Sequence, residues 1–188
     1  MMRNPENTSL ICCLIALLGL TAWPTWGYGD ESITSKNWRI HPKIVEIRNI
    51  YKNVKEAINR RELQKQVREF DYCEPYADTL RILYVNHCGV VRNYYFSGGS
   101  DDSAAERDLY YDTDGRLRFA FIQAAASNGT RIEHRIYFSA DGKRLWEMQS
   151  HMKGPGYTFP TEWSEDDLVR EPTKAFEAMS PCRPKVKK

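Results

Sequence analysis

The stretches "YVNHCGVVR" (84–92), "YYDTDGRLR" (110–118) and "YFSADGKRLW" (137–146) repeat one pattern in which a β-branched or aromatic run is followed by a turn containing glycine. A tyrosine stands five residues before each glycine, and the glycines lie 26 and 27 residues apart. Each unit predicts a strand, a tight turn, a returning strand and a connection. Three such units predict a six-stranded antiparallel β-meander over residues 79–152.

Side-chain alternation along a strand divides the predicted sheet into two faces. The residues four and six before each glycine are apolar in all three units, so we expect this aliphatic face to form the core and to receive a helix. The opposite face, the tyrosine face, carries Tyr84, Tyr110 and Tyr137 among polar residues. The six positions that define the aliphatic face are Leu83, Val85, Leu109, Tyr111, Ile136 and Phe138.

Turn length decides the register of the returning strands. In the second unit, a three-residue loop ending at Gly115 predicts that Tyr111 pairs with Leu117 and Leu109 with Phe119. The third unit has an extra residue, Arg144. A two-residue turn at 141–142 would pair Phe138 with Leu145, place Trp146 beside Tyr137 and turn Glu147 to the aliphatic face. A bulge at 143–144 would instead return Trp146 to the core.

The first 29 residues are typical of a secretory signal peptide. Arg3 precedes a largely apolar run at 10–23, and the small residues Gly27 and Gly29 follow it. A membrane anchor would need about 20 apolar residues, which is longer than this run. We therefore expect export to the periplasm or secretion, with a single α+β domain over 30–188 and no membrane span in the mature chain.

Helical patterns flank the predicted meander. From Pro42 to Ile58 apolar residues recur three and four apart, and after a change of phase at 59–62 the stripe resumes at Leu63, Val67 and Phe70. The sequence thus predicts a helical region at 42–70, packed on the sheet. The C-terminal arm, 153–188, is predicted to hold a short helix starting at Ser164 and a second one around 174–179.

Three cysteines remain after the signal peptide: Cys73, Cys88 and Cys182. In an oxidising compartment we expect one disulfide, and three pairings are possible. The strand predicted after Cys73 would carry Cys88 to its far end, so the pattern favours a bridge from Cys182 to either Cys73 or Cys88. The mixed signs of charge, with a formal net charge of +2, predict no nucleic-acid partner.

The phrases "YYDTDGRL" and "YFSADGKRL" resemble the Tyr-Asp-x-x-Gly-x-Leu hairpins of YD-repeat proteins, with Asn86 and Ser139 in place of Asp in the outer units. The match covers residues 80–150. It implies β-hairpin repeats and a binding role, and it carries over no catalytic residue.

The tyrosine face is the first candidate site. Tyr84, Tyr110 and Tyr137 would give a partner or glycan a large contact area at a small entropic cost. The alternative is that these rings are covered, by cross-strand packing or by Tyr157, Phe159 and Trp163 of the C-terminal arm. The loop "GGSDDS" (98–103) adds Asp101 and Asp102 as candidate ligand-binding carboxylates.

The sequence contains no recognised catalytic or phosphate-binding motif, and we predict neither a cofactor nor a metal ion. His134 and Glu147 could meet on neighbouring strands as an acid–base pair, so a hydrolase is one alternative. A structural component of the cell envelope is another. The patterns favour an exported, non-catalytic binding or interaction protein whose partner is an envelope protein or a glycan.

Overall fold

The structure, a computed structural model, describes residues 32–156 and 170–185. The predicted signal peptide and the helix expected to start at Ser164 lie outside these residues. Within them one long helix, seven strands and one short helix follow in chain order. They are α1 (Pro42–Asn59), β1 (Gln64–Phe70), β2 (Thr79–Val85), β3 (Val91–Gly99), β4 (Ser103–Tyr111), β5 (Leu117–Ala126), β6 (Arg131–Phe138), β7 (Arg144–Lys153) and α2 (Pro172–Glu177).

The strands form one antiparallel sheet in the order β1-β2-β3-β4-β5-β6-β7, so each strand pairs with its neighbours in sequence. The three predicted hairpins are present as β2–β3, β4–β5 and β6–β7, and the mainly antiparallel fold with helices is confirmed. The six-strand count is wrong, because β1 adds a seventh strand.

The strand β1 replaces the second half of the predicted helical region at 42–70. The stripe of Leu63, Val67 and Phe70 fits a helical period, but Arg61 adopts a positive φ of 58° and ends the helical path. From Gln64 onward the chain pairs with β2 along its whole length, from Gln64 opposite Val85 to Phe70 opposite Thr79. The hydrogen bonds available at the open edge of β2 therefore override the local helical pattern.

The repeated turns share one geometry that explains the repeated phrase. Gly89, Gly115 and Gly142 all have φ between 76° and 83°, a conformation that glycine adopts without a steric penalty. In each turn the residue three before the glycine donates its backbone N–H to the carbonyl of the residue after the glycine, and its own carbonyl accepts from the N–H of the glycine. Its side-chain oxygen also accepts a hydrogen bond from the backbone N–H of the residue after the glycine. These capping residues are Asn86, Asp112 and Ser139.

A bulge follows each turn at the third residue after the glycine, namely Arg92, Arg118 and Leu145. The bulge corrects two predicted registers. Tyr111 does pair with Leu117, but the extra residue Arg118 places Phe119 opposite Tyr110 and not opposite Leu109. In the third hairpin Trp146 lies beside Tyr137 as one alternative predicted, whereas Phe138 pairs with Arg144 because Leu145 is the bulged residue.

The long helix α1 packs on the tyrosine face and not on the aliphatic face as expected. Its buried residues Ile44, Ile47 and Val54 form one cluster with Tyr110 and Tyr137. The bulges explain the difference, since they turn aromatic residues of the returning strands toward this face and give it an apolar centre that the sequence alternation did not show.

The aliphatic face is buried by other means. All six of its defining residues belong to one buried cluster that also contains Phe176 of α2. The Arg81 guanidinium donates to the carbonyls of Phe176 and Ala178, which holds the end of α2 against β2. Both faces of the sheet are therefore covered, each by a different helix.

The C-terminal segment is fastened beside α2 by a disulfide between Cys73 and Cys182, whose sulfur atoms are 1.97 Å apart. This is one of the two pairings that the sequence favoured. The backbone N–H of Asp71 donates to Arg183, and that of Lys185 donates to Glu69, so the segment also pairs with the end of β1. No helix within 32–156 or 170–185 has the length and apolarity required to cross a bilayer.

Candidate functional site

A cavity of about 340 Å³ lies between α1 and the tyrosine face. Its floor consists of two cross-strand pairs on β5 and β6, Phe119 with Tyr137 and Phe121 with Arg135. Its roof consists of Arg48 and Tyr51 of α1. The volume is within the range of about 300–1,000 Å³ typical of small-molecule sites.

The local sequence explains why these side chains converge. Phe119 and Phe121 are two residues apart on β5 and therefore share a face, and the bulge at Arg118 makes that face the one under α1. Arg48 and Tyr51 are three residues apart on α1, so they lie side by side above the floor. Tyr51 interrupts the buried stripe of α1, with 37% of its surface exposed, because it borders the cavity.

Aromatic rings line most of the wall. The ring of Tyr51 meets Tyr110 edge-on at 4.8 Å between centroids and Phe119 at 5.6 Å. The centroids of Phe119 and Tyr137 are 4.9 Å apart. Such a wall favours a flat apolar ligand, which can stack or make edge contacts with several rings.

Residues that precede α1 in the chain hold Arg48 in place. Its guanidinium lies over the ring of Trp38, 4.9 Å from the centroid, and its Nη1 donates to the Arg39 carbonyl at 2.7 Å. Trp38 is itself stacked on Trp146 at 6.2 Å. These contacts fix the position of the charge without neutralising it, since both partners are uncharged.

Residues of the sheet hold Arg135 in place. Its guanidinium lies 4.9 Å from the ring centroid of Phe121, and its Nη2 is 2.6 Å from Oε2 of Glu133. Glu133 compensates part of this charge. Among the described residues that line the cavity, two nevertheless carry cationic groups and none is acidic.

The three predicted tyrosines occupy different environments. Tyr137 is 4% exposed and lines the cavity, and Tyr110 is 1% exposed and lies behind Tyr51. Tyr84 is half-buried at the side of the sheet near β1. Two of the rings are thus covered, and the cover among the described residues is α1, whereas residues 157–163 of the proposed C-terminal cover lie outside them.

Tyr110 belongs to a polar cluster beneath the second half of α1. Its hydroxyl donates a short hydrogen bond to the Asp108 carboxylate, which also accepts from the Asn93 amide at 2.6 Å. Burial, reinforced by the negative charge of Asp108, raises the pKa of Tyr110 far above its ordinary value. Burial also raises the pKa of Tyr84. Both hydroxyls are therefore neutral donors at physiological pH.

Asp101 and Asp102 lie apart from the tyrosines. They occupy the turn between β3 and β4, at the opposite end of the sheet from the glycine turns. The Asp102 carboxylate accepts hydrogen bonds from the hydroxyls of Ser100, at 2.8 Å, and Ser103, at 3.0 Å. Its proposed ligand role stays a prediction. The described residues contain no group of three or more potential metal-ligating side chains.

The structure brings His134 and Glu147 together as the sequence suggested. His134 Nε2 is 3.5 Å from Glu147 Oε2, on the aliphatic face of β6 and β7. Burial lowers the pKa of His134, and the Glu147 carboxylate opposes that shift. A neutral imidazole beside a carboxylate has the form of a general base. Only 2% of the His134 surface is exposed, so little of the ring is accessible to a substrate in this conformation.

No protein-family model, curated protein or solved structure matches this chain. The resemblance to YD-repeat hairpins therefore stays a prediction. Among the described residues that line the cavity, only Tyr137 was predicted as a site residue from the sequence. One sequence signal could have located the floor: "GVVR" and "GRLR" both place arginine three residues after glycine, where the bulge occurs.

Proposed function

We propose that this protein is an exported, non-catalytic binding protein that holds a small molecule in the cavity between α1 and the tyrosine face. The observation that carries the proposal is the aromatic floor, where two cross-strand pairs lie beneath a roof built by one turn of α1. Burying apolar surface against several rings supplies affinity, and the arginines supply orientation.

Export is supported by two observations. The apolar run at 10–23 is typical of a signal peptide, and the bond between Cys73 and Cys182 is compatible with an oxidising compartment. The proposed location is the periplasm or the extracellular space.

The experiment compares two exposed tyrosines changed in the same way. Tyr51→Trp adds bulk at the roof of the cavity, whereas Tyr76→Trp adds it beside Cys73 in the connection between β1 and β2. Mature protein is purified from its native compartment without denaturation, and its organic extract is analysed by mass spectrometry. We expect the wild type and Tyr76→Trp to retain the same molecule and Tyr51→Trp to lose it. Equal extracts from all three proteins would contradict the proposal.

A second candidate function is hydrolysis at the pair of His134 and Glu147, favoured by their separation of 3.5 Å. Its test is the hydrolysis of p-nitrophenyl acetate by the wild type and by His134→Gln. A catalytic role requires saturable turnover that disappears in the variant, and an identical rate in both proteins would exclude it. Arg116→Gln, at an exposed turn position, is the control.

A further inference from the structure

We infer that the ligand of the cavity under α1 is a planar apolar molecule bearing an anionic group, which binds between the guanidinium groups of Arg48 and Arg135. This inference rests on the proposed function and narrows it to one chemical class. It follows from the charge, the donor groups and the aromatic lining of the cavity.

The charges of the lining side chains favour an anionic ligand. Arg48 and Arg135 approach the cavity from opposite walls, one from α1 and one from β6. Glu133 neutralises part of the charge of Arg135 at 2.6 Å. On α1, the nearby Glu46 is directed to Arg118, which it meets at 2.8 Å, so it does not compensate Arg48 through that contact. Among the described residues that line the cavity, an anion therefore meets a net positive charge.

The N–H donors of the two arginines suit a carboxylate or a phosphoryl group. A guanidinium has five N–H donors in a planar fork that matches a carboxylate or a phosphoryl group. Arg48 donates one of them to the Arg39 carbonyl. The guanidinium of Arg48 lies over the ring of Trp38 and that of Arg135 over the ring of Phe121, and these ring contacts hold both groups without using an N–H donor. Both groups are thus positioned before a ligand arrives, which lowers the entropic cost of binding.

The aromatic side chains of the lining favour a planar apolar body. Four of the six described residues that line the cavity are aromatic, namely Tyr51, Phe119, Phe121 and Tyr137. A small inorganic anion would use the two arginines and leave these rings without contacts, whereas an uncharged apolar molecule would contact the rings and give the arginines no anion to bind. A planar body with one anionic substituent uses both parts of the cavity.

The experiment measures the binding of three probes to the mature protein by isothermal titration calorimetry: 2-naphthoate, 2-naphthyl phosphate and the uncharged 2-naphthamide. We expect at least one anionic probe to bind at least about tenfold more tightly than the amide, because hydrogen bonds between charged groups exceed neutral ones. Tighter binding of the phosphate would identify a phosphoryl group as the natural anion, and tighter binding of the naphthoate a carboxylate. This preference should weaken between 20 and 500 mM KCl.

The variants Arg48→Gln and Arg135→Gln should each weaken binding of the preferred anion about fivefold or more and leave the amide unaffected, which also shows that the cavity is intact. Arg116→Gln is the matched control, since Arg116 is exposed in the β4–β5 turn and pairs with Asp114. The inference is overturned if the amide binds as tightly as both anions. It is also overturned if the preference for an anion over the amide persists at high salt in the double variant Arg48→Gln, Arg135→Gln. In that case binding of the amide itself would leave the proposed function standing.

Binding of none of the three probes would overturn the inference as well. The proposed function would then be decided separately by the molecule retained in the extracts of the wild type and Tyr51→Trp.

Discussion

The two faces of the sheet are closed in different ways. On the aliphatic face, α2 and the C-terminal segment are tied to the sheet by a disulfide, by backbone pairing with β1 and by the Arg81 hydrogen bonds. On the tyrosine face, α1 rests on aromatic rings and leaves a cavity of about 340 Å³. The difference lies in how each face is held: the aliphatic face is fastened by a covalent bond and by backbone pairing, whereas the tyrosine face is held by side-chain packing and the ion pair of Glu46 with Arg118, and it retains a cavity.

The largest expected effect comes from removing the covalent tie. The double variant Cys73→Ser, Cys182→Ser should lower the free energy of unfolding by about 4–5 kcal/mol, because a bridge across a separation of 109 residues restricts the unfolded chain strongly. Urea denaturation measures the change. The exposed Cys88→Ser serves as the control and should stay within about 0.5 kcal/mol of the wild type. Equal stability of the double variant and the control would mean that the two faces do not differ in this way.

The second prediction concerns the tyrosine face. Tyr110→Ala should destabilise the protein by about 3–5 kcal/mol, since it removes a ring that is 1% exposed beneath α1. Tyr84→Ala, at the equivalent but half-buried position of the first repeat unit, should cost about 1 kcal/mol. Thermal and urea unfolding of both variants provide the comparison. A small loss for Tyr110→Ala would show that α1 does not cover this ring in solution.

The third prediction addresses the connection between the two faces. Arg118 is buried, donates from Nε to the Phe138 carbonyl at 3.1 Å, and reaches Asp112 at 3.4 Å and Glu46 of α1 at 2.8 Å. Arg118→Met should cost about 3 kcal/mol, because it leaves the buried Asp112 carboxylate without this partner. Glu46→Gln removes only an exposed partner and should cost less than about 1 kcal/mol. Similar losses in both variants, measured by urea unfolding, would contradict this account of Arg118.

The smallest expected effect is a pH dependence on the aliphatic face. Burial lowers the pKa of His134 below its ordinary 6.5, so the unfolded chain takes up a proton at a higher pH than the folded one. The stability that His134 contributes is therefore complete above pH about 6.5 and declines as the pH falls toward the lowered folded-state pKa. Urea midpoints between pH 7.5 and 5 should fall less in His134→Gln than in the wild type. A steeper fall in the variant would reverse the sign of this argument.

The repeated turns were predictable from the sequence because their chemistry is local. Glycine at positive φ, with a capping side chain three residues before it, is determined within five residues of chain. The three hairpins, their order and the helix α1 follow from such local patterns. So does the meeting of His134 and Glu147, which depends only on the offset across one turn.

The β1 strand and the cavity were not predictable in this way because they depend on distant partners. The spacing of Leu63, Val67 and Phe70 is compatible with a helix, and only the open edge of β2 makes it a strand. Likewise, a one-residue bulge at Arg118 decides which face Phe119 and Phe121 occupy. A sequence pattern shows that a turn is present, but it does not show whether an extra residue follows it.

The distance between the two bonded cysteines also sets an order of assembly. Every strand pairs with its neighbour in sequence, so the meander can grow progressively as the chain is made. Cys73 and Cys88 emerge only 15 residues apart, long before Cys182, and short loops close more readily than long ones. Oxidation before β2 forms therefore favours the pair Cys73–Cys88, and in that case the native bridge requires thiol–disulfide exchange once the last residues arrive. The bond that ties the C-terminal segment to the sheet therefore forms last, after the strands that it stabilises.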